Sequence, residues 1–279
     1  MSADEHTDHG SLAVLPRSPR LAPAVPRMIG YRTPPMAGVH RGLPSPYLTV
    51  VFSLSGPLLI QIPFGRPRRA GEFAVPVGGL HTRPVLLPPP AGIDGSGRQR
   101  GIQLEVHPFA ARSLFGVSAG ELTGEVLELG DLVRGSWEVR ERLAEPVDAA
   151  SAVELVGGWL DRRLRDRPPP AMPAELGRAW QLIVGSGGQC RIGEVAREVG
   201  WSRRHLTTRL RAETGLSAKD LARVSRFQRS RRMIGASGHA LAGVAADCGY
   251  ADQSHLCAEW REFADCTPTE WIAAESPAS

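Results

Sequence analysis

The sequence predicts an α+β chain, with an N-terminal antiparallel β-rich unit and trailing helices, then an all-α unit built on two helix-turn-helix motifs. Three observations predict it. Short β-branched and apolar runs, punctuated by Gly and Pro, fill positions 47–106. A proline-rich segment, Arg167-Pro168-Pro169-Pro170-Ala171-Met172-Pro173, interrupts the middle of the chain. Beyond it the apolar residues recur at helical spacing, and the pattern occurs twice.

Residues 1–27 are rich in Pro, Ser and charge without periodicity, the composition of a disordered leader. The first ten lack the basic start and apolar core of a signal peptide. No apolar run approaches the roughly 18 residues that span a bilayer, so no membrane partner is expected. Strands are expected over 47–54, 57–62, 72–77 and 101–106. Pro108 suits the first turn of a helix over 109–115, and amphipathic stretches follow at about 137–144 and 152–164. Together these define a β-rich domain over 28–165. Proline fixes φ and removes the amide donor, so 166–173 reads as a stiff linker. A chain of 279 residues has room for two domains, each with its own core.

Residues 174–275 read as helical throughout, with a leading helix at 174–184 and a short tail at 276–279. The first repeat runs Ile192, Val195, Ala196, Gly200, Leu206, Leu210, Gly215. The second runs Leu241, Val244, Ala245, Gly249, Leu256, Trp260, Asp265, with one extra residue in its turn. Apolar residues three and four apart form one buried face. Ala196 and Ala245 allow a close helix crossing, and the glycine four positions later can adopt the left-handed conformation that ends a helix. This is the scaffold that lays a helix in the DNA major groove.

Ser202 is a good N-cap for the first recognition helix. With Leu206 and Leu210 inward, Arg203, Arg204, Thr207, Thr208 and Arg211 occupy the outer arc. In the second helix Gln253, Ser254 and His255 have base-reading chemistry: glutamine can pair with adenine, and histidine can bond a base or a phosphate. Ser217-Ala218-Lys219-Asp220 has capping-box spacing, with Asp in place of Glu or Gln. It would open a connecting helix with Leu221, Val224, Phe227 and Ile234 on one side. Arg223, Arg226, Arg229 and Arg232 lie on the other, as candidates for the DNA backbone together with Ser202 and Arg211.

Net charge is only +4, but its distribution is uneven. Between positions 203 and 232 stand ten basic residues against Glu213 and Asp220. From 233 onward Arg261 faces seven acidic residues. Lys219 is the only lysine, and this preference for arginine is what the codon bias of a GC-rich genome is expected to produce. Codon usage does not explain where the charges cluster.

The four cysteines, Cys190, Cys248, Cys257 and Cys266, are expected as free thiols in a reducing cytoplasm. Cys248, His255, Cys257 and Cys266 match no zinc spacing, and residues two apart on a helix point to different faces. No metal or cofactor is expected. In the β unit His81, Glu105 and His107 are the only residues that suggest acid–base or metal chemistry, with Glu105 and His107 sharing a strand face. A structural role suits them better, and no catalytic residue is assigned.

Several of these segments carry a family pattern: Ile192-Gly193-Glu194-Val195-Ala196, Gly200-Trp201-Ser202-Arg203-Arg204-His205-Leu206, Glu213-Thr214-Gly215-Leu216-Ser217, Arg226-Phe227-Gln228-Arg229-Ser230-Arg231-Arg232-Met233-Ile234, Gly249-Tyr250-Ala251-Asp252-Gln253-Ser254-His255-Leu256 and Thr267-Pro268. In order and spacing they resemble the DNA-binding domain of the AraC/XylS transcriptional regulators. The resemblance implies two units in successive major-groove turns, with Arg204, Thr207 and Thr208 at base-facing positions. More loosely, Gly101-Ile102-Gln103-Leu104, Pro108-Phe109-Ala110-Ala111-Arg112, Leu114-Phe115-Gly116-Val117 and Glu121-Leu122-Thr123-Gly124 resemble an effector-type domain of bacterial members. That implies a sensory or dimerising role for 28–165 and names no ligand.

The second unit departs from the pattern at Ala258, Asp265 and Ile272, and its basic residues thin to Arg261. Weak docking on the backbone and buttressing of the first unit both remain open for it. The expected function is a cytoplasmic, bacterial, sequence-specific transcriptional regulator. Promoter DNA, RNA polymerase, a small-molecule effector and a second copy are its implied partners, and activation is implied by the family. The other reading is a small-molecule-binding or enzymatic β protein with a vestigial helical module.

Overall fold

The computed structural model describes residues 11–14, 18–33, 38–63, 69–89, 98–144, 149–168, 172–236 and 240–275. The expectations for 1–10, for the tail at 276–279 and for the prolines at 169–170 lie outside those residues.

Ten strands are described: β1 (Ser11–Val14), β2 (Arg27–Thr33), β3 (His40–Gly42), β4 (Leu48–Ser53), β5 (Leu58–Ile62), β6 (Arg69–Phe73), β7 (Pro76–Gly78), β8 (Val85–Leu87), β9 (Gln99–Val106) and β10 (Val126–Glu128). They form two antiparallel sheets, one ordered β1-β2-β9-β4-β7-β10 and the other β3-β8-β5-β6. Alternation assigns their faces. Leu48, Val50 and Phe52 of β4 pair with Val106, Leu104 and Ile102 of β9, and all six are buried. This face packs on helices, with the Phe52 ring edge-on to Trp159 at 6.3 Å. On the opposite face Val51 packs with Leu58, Ile60 and Ile62 of the smaller sheet.

A 3-10 turn (Pro108–Ala110) leads into α1 (Ala111–Phe115), α2 (Ala119–Leu122), α3 (Leu129–Leu132), α4 (Ser136–Ala144) and α5 (Ala149–Asp166). After the proline segment come α6 (Ala174–Gly185), α7 (Ile192–Glu198), α8 (Arg203–Thr214), α9 (Ala218–Gly235), α10 (Leu241–Asp247), α11 (Gln253–Ala264) and α12 (Pro268–Glu275). Ser118 and Glu121 complete a capping box at α2. At α9 Ser217 accepts the Asp220 amide at 3.1 Å and donates to its carboxylate. The shorter aspartate makes no return bond to the N-cap amide, so only half the box forms.

Three expectations change. The strand over 72–77 is two strands in different sheets, because the Glu128 carboxylate takes the Ala74 and Val75 amides at 2.7 and 3.0 Å. The leader over 1–27 is too long: β1 pairs with β2, and Leu21 and Val25 are buried. The Ser18 hydroxyl donates to Asp161 at 3.0 Å, and the His107 amide donates to the Ala24 carbonyl at 2.8 Å. The four-residue spacing of Leu21 and Val25 is a helical-turn signal set among prolines.

Third, the cores do not divide at the linker. Leu176, Trp180, Val195, Leu206, Leu210 and Leu221 belong to the same apolar cluster as the helix-facing side of the larger sheet. Trp180 joins the two parts, its ring 5.3 Å from His107 and 5.4 Å from Phe109. The second helix-turn-helix has a core of its own, formed by Val224, Phe227, Val244, Leu256, Trp260 and Phe263. The boundary between the cores therefore falls within α9.

Candidate nucleic-acid interface

The first helix-turn-helix is α7 and α8. Gly200 makes its turn at φ 73°, a conformation that an L side chain rarely adopts. The Ser202 hydroxyl accepts the His205 amide at 3.1 Å and starts α8. Leu206 and Leu210 are fully buried, which fixes the helix about its axis. Arg203, Arg204, Thr208 and Arg211 are exposed, and Thr207 is half-buried beside them. Five of the expected residues therefore lie along one outward arc. His205, on the same turn as Arg204, packs edge-on against Trp201 at 4.7 Å.

The second unit, α10 and α11, repeats the design. Gly249 also has φ 73°, and the Asp252 carboxylate accepts the His255 amide at 2.7 Å. Asp265 ends α11 in the left-handed region at φ 56°, where Gly215 ends α8. Gln253 and Ser254 are exposed, as expected of readers. His255 is exposed as well, with one ring nitrogen engaged. Its Nδ1 accepts the Ala251 amide at 3.3 Å, and its ring stands edge-on to Tyr250 at 5.3 Å. The first turn of α11 uses it as a local brace.

The connecting helix sorts its arginines. Arg229 and Arg232 are exposed, the former with its aliphatic stem over Gly187. The Arg226 guanidinium lies 5.3 Å from the centre of the Tyr250 ring, a cation–π contact. Arg223, expected at the DNA backbone, is engaged within the protein. Its Nε donates to Glu259 at 2.8 Å and its Nη1 to Glu262 at 3.0 Å. Hydrogen bonds from Arg223 hold the Glu262 carboxyl below the usual carboxylate range. Sequence spacing did not reveal this bridge, because its acids lie 36 and 39 positions away. Lys219, exposed at the start of α9, was counted in the basic cluster without being assigned a role.

Each of the β-unit candidates contacts a neighbour within the fold. His107 accepts the Phe109 amide at 3.3 Å as the N-cap of the 3-10 turn, and burial pushes its ring down to about 4. Glu105 is buried 4.0 Å from Arg27, and the His81 Nδ1 lies 2.5 Å from the Arg83 carbonyl. Among the described residues no group of three or more His, Cys, Asp or Glu could hold a metal ion. The four cysteines are free thiols, and burial pushes the Cys248 thiol up. No helix among the described residues is long and apolar enough to cross a membrane.

Residues 195–274 match a family model described as a helix-turn-helix domain. The C-terminal region is an AraC-type domain. No curated protein sequence matches the chain significantly. Among solved structures, ToxT from Vibrio cholerae O395 superposes with a TM-score of 0.55 at 12% identity, covering 90% of this chain and 98% of that one. The same protein bound to (E)-4-(8-methylnaphthalen-1-yl)but-3-enoic acid gives 0.54 at 12%, covering 91% and 100%. Unsaturated fatty acid-bound ToxT from Vibrio cholerae strain SCE256 gives 0.51 at 13%, covering 88% and 94%. The β-rich unit followed by the AraC-type domain is thus a two-part fold shared with ToxT along nearly the whole chain.

Proposed function

We propose that the protein is a non-enzymatic, sequence-specific regulator of transcription that reads promoter DNA through α8. The exposed arc of Arg203, Arg204, Thr207, Thr208 and Arg211, fixed by Ser202 and the two buried leucines, carries this reading. Arg204 is the principal reader, because arginine gives two hydrogen bonds to a guanine edge. Arg211 and Arg229 serve the phosphates, along with the Ser202 turn. Action in the cytoplasm, contact with RNA polymerase to activate, and pairing of two copies on paired half-sites complete the proposal.

Gel-shift titration on the DNA upstream of its own gene tests it. Arg204→Ala should relax preference at one or two base pairs, by about 5- to 150-fold. Arg211→Ala should weaken all duplexes alike and reduce the salt slope by about one. Equal loss on all sequences with Arg204→Ala would assign that residue to the backbone.

The effector part rests on the fold shared with ToxT, which has been crystallised with acids of apolar body. The strand face opposite the helix-packed one carries apolar, polar and charged side chains together. Val51 and Ile29 flank Gln103 in register, and Arg27 and Thr49 flank Glu105. An amphipathic acid held there should raise the melting temperature. Oleate at 100 times its Kd would add about 2.7 kcal/mol. An unchanged melt over the whole soluble range of oleate would count against this class of effector.

A further inference from the structure

The two recognition helices can be read against each other position by position. Val195 and Val244 lie 49 apart, as do Gly200 and Gly249; past the extra turn residue, Leu206 and Leu256 lie 50 apart. On that register Arg203, Arg204, Thr208 and Arg209 of α8 correspond to Gln253, Ser254, Ala258 and Glu259 of α11. Four arginines and one glutamate on α8 become one arginine and two glutamates on α11. Leu206 recurs as Leu256, Leu210 is replaced by the equally buried Trp260, and a turn glycine and an N-cap recur, so the scaffold is kept while the cationic face is reduced.

The structure accounts for the acids. Glu259 is 4% exposed and is held at 2.8 Å by Arg223 of the connecting helix, which also takes Glu262. The Arg223 guanidinium further lies 4.8 Å from the Phe263 ring, in the middle of the second core. With Arg223 of the connecting helix shared between two carboxylates, the exposed Arg261 is the single arginine that α11 can offer a phosphate. Gln253, Ser254 and His255 are exposed at the reading end, and one ring nitrogen of His255 is already taken by the Ala251 amide.

We infer that base readout is confined to α8, and that Arg223 holds α11 as a docked helix that does not discriminate bases. This rests on the proposal that the chain reads DNA. Phosphate attraction supplies most of the affinity that places a second unit in a groove, and α11 has too little of it. Each copy then specifies the bases under one major-groove face instead of two faces one turn apart.

Selection of bound sequences from a randomised duplex library, with the full-length protein, tests this. The expected result is one block of preferred bases per copy. The double variant Gln253→Ala/Ser254→Ala should keep that block, with affinity within about twofold, while Arg204→Ala degrades it. Arg223→Ala should leave the preferred bases unaltered as the second unit loosens. A second block about 10 base pairs away, fading in the double variant, would overturn the inference and leave DNA reading intact. A change of preferred bases in Arg223→Ala would overturn it as well. Absence of any preference would overturn the underlying proposal and the inference with it.

Discussion

Trp180→Ala is expected to cost about 3–5 kcal/mol of stability, the range for truncating a buried aromatic. Trp180 is 2% exposed on α6, flanked by the buried Leu176, Ala179 and Ile183. Its indole meets His107 and Phe109 from the end of β9, so the cavity would open between the β-rich part and the first helix-turn-helix. At about 2–4 °C per kcal/mol for a chain of this size, thermal unfolding should shift by roughly 6–20 °C. Trp137→Ala is the control, since Trp137 is 59% exposed and should change stability by less than about 0.5 kcal/mol. The second unit has its own core, so its unfolding should be less affected, and the single transition should split. A loss below about 1 kcal/mol for Trp180→Ala would mean that the two parts do not depend on this contact.

Acid should weaken the same junction. His107 is held neutral by burial, with its folded value pushed down to about 4 from an ordinary 6.5. Between those values the unfolded chain binds a proton that the folded chain refuses. Stability from this group is therefore complete above pH 6.5 and is lost as pH falls towards 4. The full effect is about 3 kcal/mol. Urea unfolding at half-unit steps of pH measures it. His107→Phe removes the titration and also gives up the cap on the Phe109 amide, so the readout is the slope of the profile, not its height. An equally steep profile in that variant would assign the acid sensitivity to other groups.

What the sequence disclosed was local. The helix-turn-helix repeats are legible because Val195, Ala196 and Gly200 signal a buried face and a turn within a few residues, and Val244, Ala245 and Gly249 repeat the signal. Strands β4, β5 and β9 are legible for the same reason, through their β-branched alternation. Arg223 looked like a phosphate ligand because its outward helical position is visible in the pattern, whereas Glu259 and Glu262 meet it only after α11 has packed. His255 is exposed where helical spacing puts it, but the bond from the Ala251 amide to its Nδ1 depends on turn geometry that spacing does not give. The junction at Trp180 was hidden by the intervening prolines, which suggested separation. Two aromatic side chains at 107 and 109 give no sign in one dimension of a partner at 180.

The Thr123 hydroxyl, just past α2, donates to the Thr214 carbonyl at 2.7 Å, and a Cβ on Gly120 would come within 2.9 Å of the Ala212 carbonyl. Arg112 adds an ion pair to Glu213 at 3.6 Å. All three grip the same end of α8, and Arg204 sits at the other. Twelve residues of helix make a rod of about 18 Å. Pivoting that rod by ten degrees at the gripped end would swing its free tip by about 3 Å, roughly the length of one hydrogen bond. A displacement too small to disturb the grip is thus large enough to take an arginine fork off the edge of a guanine.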